Sequence, residues 1–215
     1  AMHLNLCFEN PLNWQAEEQT KYLSEKLIFN KLASESSELD LVGDELYVIS
    51  RLTENEVPAV EKFLKNNSVC VLLEASSQID KDFSGKAMIL KHGEKLLKSI
   101  NINDYFSKVV HFGGVPTTRL WRDLAETLKL EVESFGRGEF SGIPGVARVC
   151  GKKLLRQCLN IEALENKKLH SLKKMDDELQ DNFLKILKDK PNSEASLYSA
   201  LIEQINSDDS VYLGN

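Results

Sequence analysis

The 215-residue chain is poor in the patterns that usually mark metal, nucleic-acid or membrane chemistry. Its four cysteines, at positions 7, 70, 150 and 158, form no C-x-x-C pair, and no histidine pair stands beside them at ligand spacing. A zinc site or disulfide framework is therefore not expected, and the thiols read as buried groups in a reducing compartment. No apolar run approaches the ~18 residues of a membrane span, and the opening AMHLNLCFENPL lacks the charged and apolar regions of a signal peptide, so a cytoplasmic protein without a membrane span is expected. Positive charge is in the minority, with 27 Lys and Arg against 33 Asp and Glu and a net charge of −6. Phosphate contact needs clustered lysine and arginine, so no nucleic-acid partner is expected. The most basic run, Lys167-Lys168 with Lys173-Lys174, alternates with acids as a solvated helix face does. No acid cluster has metal-site spacing, and no serine or cysteine nucleophile has a recognisable partner.

What remains is material for one sizeable core, since 42% of the residues are hydrophobic and 28% charged; one main domain is expected. Strand-like and helix-like segments alternate in the manner of a parallel α/β sheet. The strand candidates are 47–50, 69–73, a weaker 87–90, 109–112, 131–135 and 146–150. Crossover helices are expected at 56–65, with Val60, Phe63 and Leu64 on one side, and at 118–128, where Leu120, Leu124 and Leu128 repeat at four-residue spacing beside Trp121. A long amphipathic stretch, 161–188, carries Leu164, Leu172, Met175, Leu179, Phe183 and Ile186. After Pro191, Ser193 has the makings of an N-cap, Glu194 suits the helix start, and Leu197, Leu201 and Ile205 form the next stripe. Both stripes read as core or interdomain packing. His111 lies in a strand and reads as a core histidine, while His92 and His170 read as surface residues.

The most informative segment is 109–121, an apolar strand, a Gly113-Gly114 turn, and a helix that begins with Thr117, Thr118 and Arg119. A helix start gathers free N–H groups and the positive end of the macrodipole. Arg119 in that first turn costs about 0.3–1 kcal/mol unless an anion lies between it and the helix end. Its other outlet is water or a nearby carboxylate. Thr117 is expected to be the cap, with its oxygen serving backbone N–H groups.

Two glycine patterns invite a nucleotide reading and fail it. The stretch 135–145 spells G-x-G-x-x-x-G, one residue too long, and Pro144-Gly145 stands where a dinucleotide site needs a helix start. An irregular loop is expected there, with Arg137 on a surface or interdomain contact. Gly43-Asp44-Glu45 followed by Asn66-Asn67 is similar to the G-D-G…N-N signature that holds magnesium and thiamine diphosphate, but lacks the third glycine and precedes its strand. Two polar turns are expected instead.

The ends complete the pattern. His3-Leu4-Asn5-Leu6 with Glu9-Asn10-Pro11-Leu12, the central FGGVPTTRLW and the closing SLYSALIEQINSDDSVYLGN together resemble the 2-succinyl-5-enolpyruvyl-6-hydroxy-3-cyclohexene-1-carboxylate synthases, thiamine diphosphate enzymes of menaquinone biosynthesis. In that family an H-L-N-x-P-x-x-x-P-L segment leaves the N-terminal pyrimidine-binding domain, and an x-V-x-x-G-N-S segment opens the C-terminal diphosphate-binding domain. The resemblance spans the whole chain as the middle third of a protein. It implies an exit segment and linker at 1–30, a central α/β domain at 31–206 and the first strand of the next domain at 207–215. The implied fold is a doubly wound, mainly parallel sheet with helices on both faces. Tyr47-Val48-Ile49-Ser50-Arg51 lacks the glycine turn that usually ends the first strand of such domains, and close backbone approach to a diphosphate is then hard. No flavin or nucleotide is expected.

For the complete enzyme the resemblance implies decarboxylation of 2-oxoglutarate on thiamine diphosphate, with Mg2+, and addition of the succinyl-semialdehyde unit to isochorismate. It also implies a homodimer or higher homo-oligomer, because the family's active sites form between subunits. The family's cofactor-activating glutamate lies before this stretch and its magnesium motif after it, so no catalytic, cofactor-binding or metal residue is assigned here, and the isolated domain should not turn over. Family members place a basic pair after the strand that corresponds to 109–112, where it helps hold the isochorismate carboxylates. Thr118 and Arg119 occupy that pair: Arg119 keeps the charge and the two-pronged grip, and Thr118 keeps a hydroxyl. The alternative is a regulatory or interaction module, in which this turn and Arg137 receive an anionic pathway metabolite away from the chemistry.

Overall fold

A computed structural model describes residues 43–80, 83–127, 130–135, 142, 147–149, 156, 158–159 and 167–205. All belong to the second of the two units into which the chain divides, Leu32–Asn215. The elements run β1 (Glu45–Ile49), α1 (Val57–Asn66), β2 (Cys70–Leu73), β3 (Met88–Ile89), α2 (Gly93–Ser99), β4 (Lys108–Phe112), α3 (Arg119–Thr127), β5 (Glu131–Phe135), β6 (Ala147–Val149), α4 (Leu169–Asp189) and α5 (Glu194–Ile202). The six strands form one sheet in the order β3-β2-β1-β4-β5-β6. Every neighbouring pair is parallel. Each strand expected from the sequence coincides with one of these.

The sheet is covered on both faces, and for that reason its strands read as continuous apolar runs instead of strict alternations. Leu46, Val48, Val109 and Val132 face Leu96 and Leu97 of α2, Leu120 and Trp121 of α3, and Leu172 of α4. Tyr47, Ile49, Val110, Phe112 and Phe135 face Val60, Phe63 and Leu64 of α1 together with Cys158. The result is a doubly wound α/β fold. Lys108, the first residue of β4, and Glu133, midway along β5, form a buried ion pair at 3.0 Å. No described helix is long and apolar enough to cross a membrane.

Local sequence explains some helix boundaries and distant residues explain others. Ahead of α1, Glu56 folds back so that its Oε2 accepts from Thr53 N–H at 2.7 Å, and Pro58 stands in the first turn, where its missing N–H costs nothing. Asn67 closes α1, its Nδ2 donating to the Phe63 carbonyl at 2.8 Å. Glu45 accepts from Gly43 N–H at 3.2 Å. Gly43-Asp44-Glu45 thus leads into β1, with Glu45 its first residue, and Asn66-Asn67 ends α1; the two segments flank a strand and a helix as the sequence indicated, as element ends more than as separate turns. Ser193 caps α5, accepting from Ser196 N–H at 3.3 Å.

Helix α2 has no cap of its own, and the sequence did not single it out. Its cap comes from α4: the nearly buried Asp176 accepts from Lys91 N–H at 2.8 Å and from His92 N–H at 2.9 Å. The same approach of α4 overturns the surface reading of His92, which is half-buried, lies 2.7 Å from Gln180 Oε1 and tilts against Phe183. His170 is exposed, as expected.

The stripe on α4 divides. Leu172 is buried and Met175 and Leu179 pack beside it, whereas Phe183 and Ile186 are exposed; Leu164 lies outside the described residues. On α5 the core half of the expectation fails, because Leu197 and Leu201 are 61% and 48% exposed and no residue of the helix is buried; of the two readings only interdomain packing is left for this stripe. The reason is that α5 packs chiefly on α4 and meets the sheet edge across an open cleft, with Leu73 and Ile89 on one wall and Tyr198 and Ile202 on the other.

The Asp176 cap predicts a stability effect. Asp176→Ala leaves the amides of Lys91 and His92 without their acceptor and is expected to cost about 1–3 kcal/mol, read in urea as a lower midpoint with an unchanged slope; Asp176→Asn, which keeps one acceptor oxygen, should recover part of it.

Candidate functional site

The sheet order reverses between β1 and β4, and in an open parallel sheet the crevice beyond the strand ends at such a point is where ligands bind. Here the chain's own backbone crosses it. Gly114 N–H donates to the Arg51 carbonyl at 2.9 Å, and Gly113 N–H to the Phe135 carbonyl at 3.3 Å. Gly113 has φ +108, and a Cβ there would stand 2.7 Å from the Arg51 oxygen. Only glycine fits both the left-handed backbone and the close approach.

Beneath this crossing lies a closed polar cluster around His111. Its Nε2 is 2.9 Å from the Gly114 carbonyl and 2.9 Å from Ser50 Oγ, and its Nδ1 is 2.8 Å from Ser134 Oγ. A carbonyl can only accept, so Nε2 carries the proton and Nδ1 accepts from Ser134. Ser50 in turn donates to the Gly114 carbonyl. The imidazole lies against the Trp121 ring, with centroids 4.7 Å apart. Burial holds the His111 pKa down at about 4, partly offset by the Gly114 bond. His111 is a core histidine bonded to its neighbours, as the sequence indicated, and Ser50, although beside it, is fully buried.

The Thr117-Thr118-Arg119 turn lies at the C-terminal edge of the sheet. Its anion is the protein's own. Glu74, from the end of β2, uses one oxygen to accept from Thr117 N–H at 2.7 Å, Thr118 N–H at 2.9 Å and the Thr117 hydroxyl at 3.2 Å. The capping oxygen of α3 belongs to Thr118, which accepts from Leu120 N–H at 3.2 Å. This corrects the assignment of the cap to Thr117, whose hydroxyl is drawn to Glu74 instead. A second carboxylate, Glu94, has a pKa held down first by Lys98 and then by contacts with Thr118 and Leu120.

Arg119 itself points outward. Its side chain is 75% exposed, and its Nε is 3.8 Å from Asp123 Oδ1. So long and open a contact contributes at most about 1 kcal/mol. Beside the turn is a cleft of about 350 Å3 lined by Thr118, Glu74, Lys91, Glu94 and Lys95. It continues along Glu74, Lys91 and His92 into one of about 690 Å3 walled by Phe183, Tyr198 and Ile202. Lys91 within it is paired with Asp177 at 2.9 Å.

Sequence reasoning missed Glu74 and Asp176. Each is a single acid far along the chain from the amides it serves, and no local pattern marks it. Arg137 and most of the glycine-rich stretch around it lie outside the described residues. Cys70 and Cys158 are buried thiols that form no disulfide. Among the described residues, no three or more His, Cys, Asp or Glu side chains come together as a metal site.

Comparison with known proteins gives one relative for discussion. A 2-succinyl-5-enolpyruvyl-6-hydroxy-3-cyclohexene-1-carboxylate synthase of Bdellovibrio bacteriovorus is 29% identical over 174 residues. The chain is similar to that synthase. The match takes in 79% of this chain and 32% of the relative, so the chain spans about a third of the length of the curated protein it matches. It is the family that the sequence motifs resemble. No family model and no solved structure matches.

The closed His111 cluster sets an acid sensitivity. Its folded pKa of about 4 lies below the ordinary 6.5, so the unfolded chain binds the extra proton first as pH falls. The stability held above pH 6.5 is lost progressively toward pH 4. Between pH 7 and pH 5 the wild type is expected to lose about 2 kcal/mol more than His111→Gln, measured by urea unfolding at each pH; equal losses would contradict this account.

Proposed function

We propose that this chain is the central domain, 31–206, of a thiamine diphosphate-dependent synthase that joins a succinyl-semialdehyde unit from 2-oxoglutarate to isochorismate in menaquinone biosynthesis. Residues 1–30 would be the segment arriving from an N-terminal pyrimidine-binding domain, and 207–215 the first strand of a C-terminal diphosphate-binding domain. The carrying observation is the 29% identity over 174 residues with a synthase named for that product. The fold supports the reading, because the ligand crevice of a doubly wound sheet is here bridged by the chain's own backbone, as suits a domain that supplies scaffold and substrate contacts.

Thiamine diphosphate with Mg2+ would supply the decarboxylation and the carbon–carbon bond formation. The crevice at the strand ends is crossed by the bonded Gly113-Gly114 backbone, and no acids gather as a metal site among the described residues, so in this reading the group's binding falls to the flanking domains. Localisation in the cytoplasm and assembly as a homodimer or larger homo-oligomer belong to the same reading. The exposed faces of α4 and α5 are consistent with packing against further protein.

The part given to this domain is substrate binding at Arg119, with Thr118 beside it. The guanidinium is exposed at the strand ends with Asp123 3.8 Å away, next to the cleft that Thr118 lines, and its two-pronged geometry suits a carboxylate. In the complete synthase Arg119→Ala should raise KM for isochorismate about 10-fold or more, while KM for 2-oxoglutarate stays within about twofold. Unchanged isochorismate kinetics would remove Arg119 from the site.

A further inference from the structure

An acid at the mouth of a site for a doubly acidic substrate works against binding unless it has another use. Glu74 is such an acid. It lines both clefts, the smaller of which Thr118 also lines, and the three bonds to its Oε1 show the use: they tie down Thr117 and Thr118, the two residues from which Arg119 departs. We propose that Glu74 is the positioning residue of the substrate turn, fixing the direction of Arg119 and filling the amide site at the start of α3, so that an incoming carboxylate is met by the guanidinium instead of by the backbone. This inference rests on the reading of Arg119 as a substrate contact.

The turn is short and anchored at two places. At its β4 end, Gly113 and Gly114 are bonded to the carbonyls of Phe135 and Arg51. Between those bonds and the two threonines held by Glu74 lie only Val115, half-exposed, and Pro116, which has no N–H to contribute. At the helix end of the turn Glu74 holds both threonine amides, while Glu94 touches the Thr118 side chain and Leu120. With Thr117 drawn to that carboxylate, the Thr118 hydroxyl is left to cap Leu120, and the first helical residue, Arg119, leaves the turn in one direction. Holding a long cationic side chain near its bound direction reduces the ordering cost that the substrate would otherwise meet. The role needs an acceptor oxygen more than a charge, since a glutamine can present the same carbonyl oxygen to all three donors.

Two measurements test the proposal. In this chain, amide exchange at Thr117 and Thr118 should accelerate at least about 10-fold in Glu74→Ala and stay within about threefold of wild type in Glu74→Gln. In the complete synthase, Glu74→Ala should raise KM for isochorismate about 10-fold with kcat within about twofold, Glu74→Gln should restore it, and Glu74→Ala should add nothing in an Arg119→Ala background. An undiminished Glu74→Ala effect in that background, or a fall in kcat at constant KM, overturns the positioning role. Unaltered exchange in Glu74→Ala overturns the clamp itself. Accelerated exchange together with unchanged isochorismate kinetics in Arg119→Ala retires the substrate reading, and the positioning role with it, leaving a clamp that serves only the fold.

Discussion

The C-terminal edge of this sheet depends on carboxylates that reach across from other elements to the starts of helices. Parallel α/β architecture directs helix N-termini, with their N–H groups and positive dipole ends, to that one edge. Many folds of this kind leave those groups for a phosphate. Here Asp176 of α4 serves the start of α2 and Glu74 of β2 serves the start of α3. The edge is neutralised from within, and the bonds that do it join four elements in two pairs, α4 with α2 and β2 with α3.

The same economy governs the point where the sheet order reverses. Gly114 bonds across to Arg51, and His111 with Ser50 and Ser134 fills the space beneath. Each polar group in that cluster finds a partner inside the protein, which is the condition for burying it at all. What remains at the surface is chemistry of a different kind: an outward-facing arginine, a capped threonine turn, and clefts running toward an apolar helix pair. Arg119 was proposed from the cost of placing a cation at a helix start, and the structure meets that cost with nearby acids, Glu74 on the amides and Asp123 at 3.8 Å.

How much of this was legible depended on whether the cause was local. All six strands could be read, because burial on both faces leaves short apolar runs such as Leu46-Tyr47-Val48-Ile49. Helices α1 and α3 announced themselves through periodicity, and α5 through its N-cap, Ser193. Helix α2 could not be read, since its cap lies 84 and 85 residues away in the chain. The shift of the cap from Thr117 to Thr118 has the same origin, a distant glutamate that claims the first hydroxyl. The Leu197 and Leu201 stripe was legible as apolar but not as exposed, because a sequence tells which residues avoid water and not where the sheet that would cover them ends. His111 was readable as a core residue, and its two serines were not, each lying on a different strand.

The Asp176 bridge also orders events in time. A seven-residue helix such as α2 has little tendency to persist by itself, and its cap arrives only once a segment more than eighty positions later has been synthesised and docked. The β3–α2 junction should therefore consolidate late, after the neighbouring strands have assembled, and closing so long a loop for so few bonds makes it a slow step of maturation and among the first places to open when the domain begins to melt.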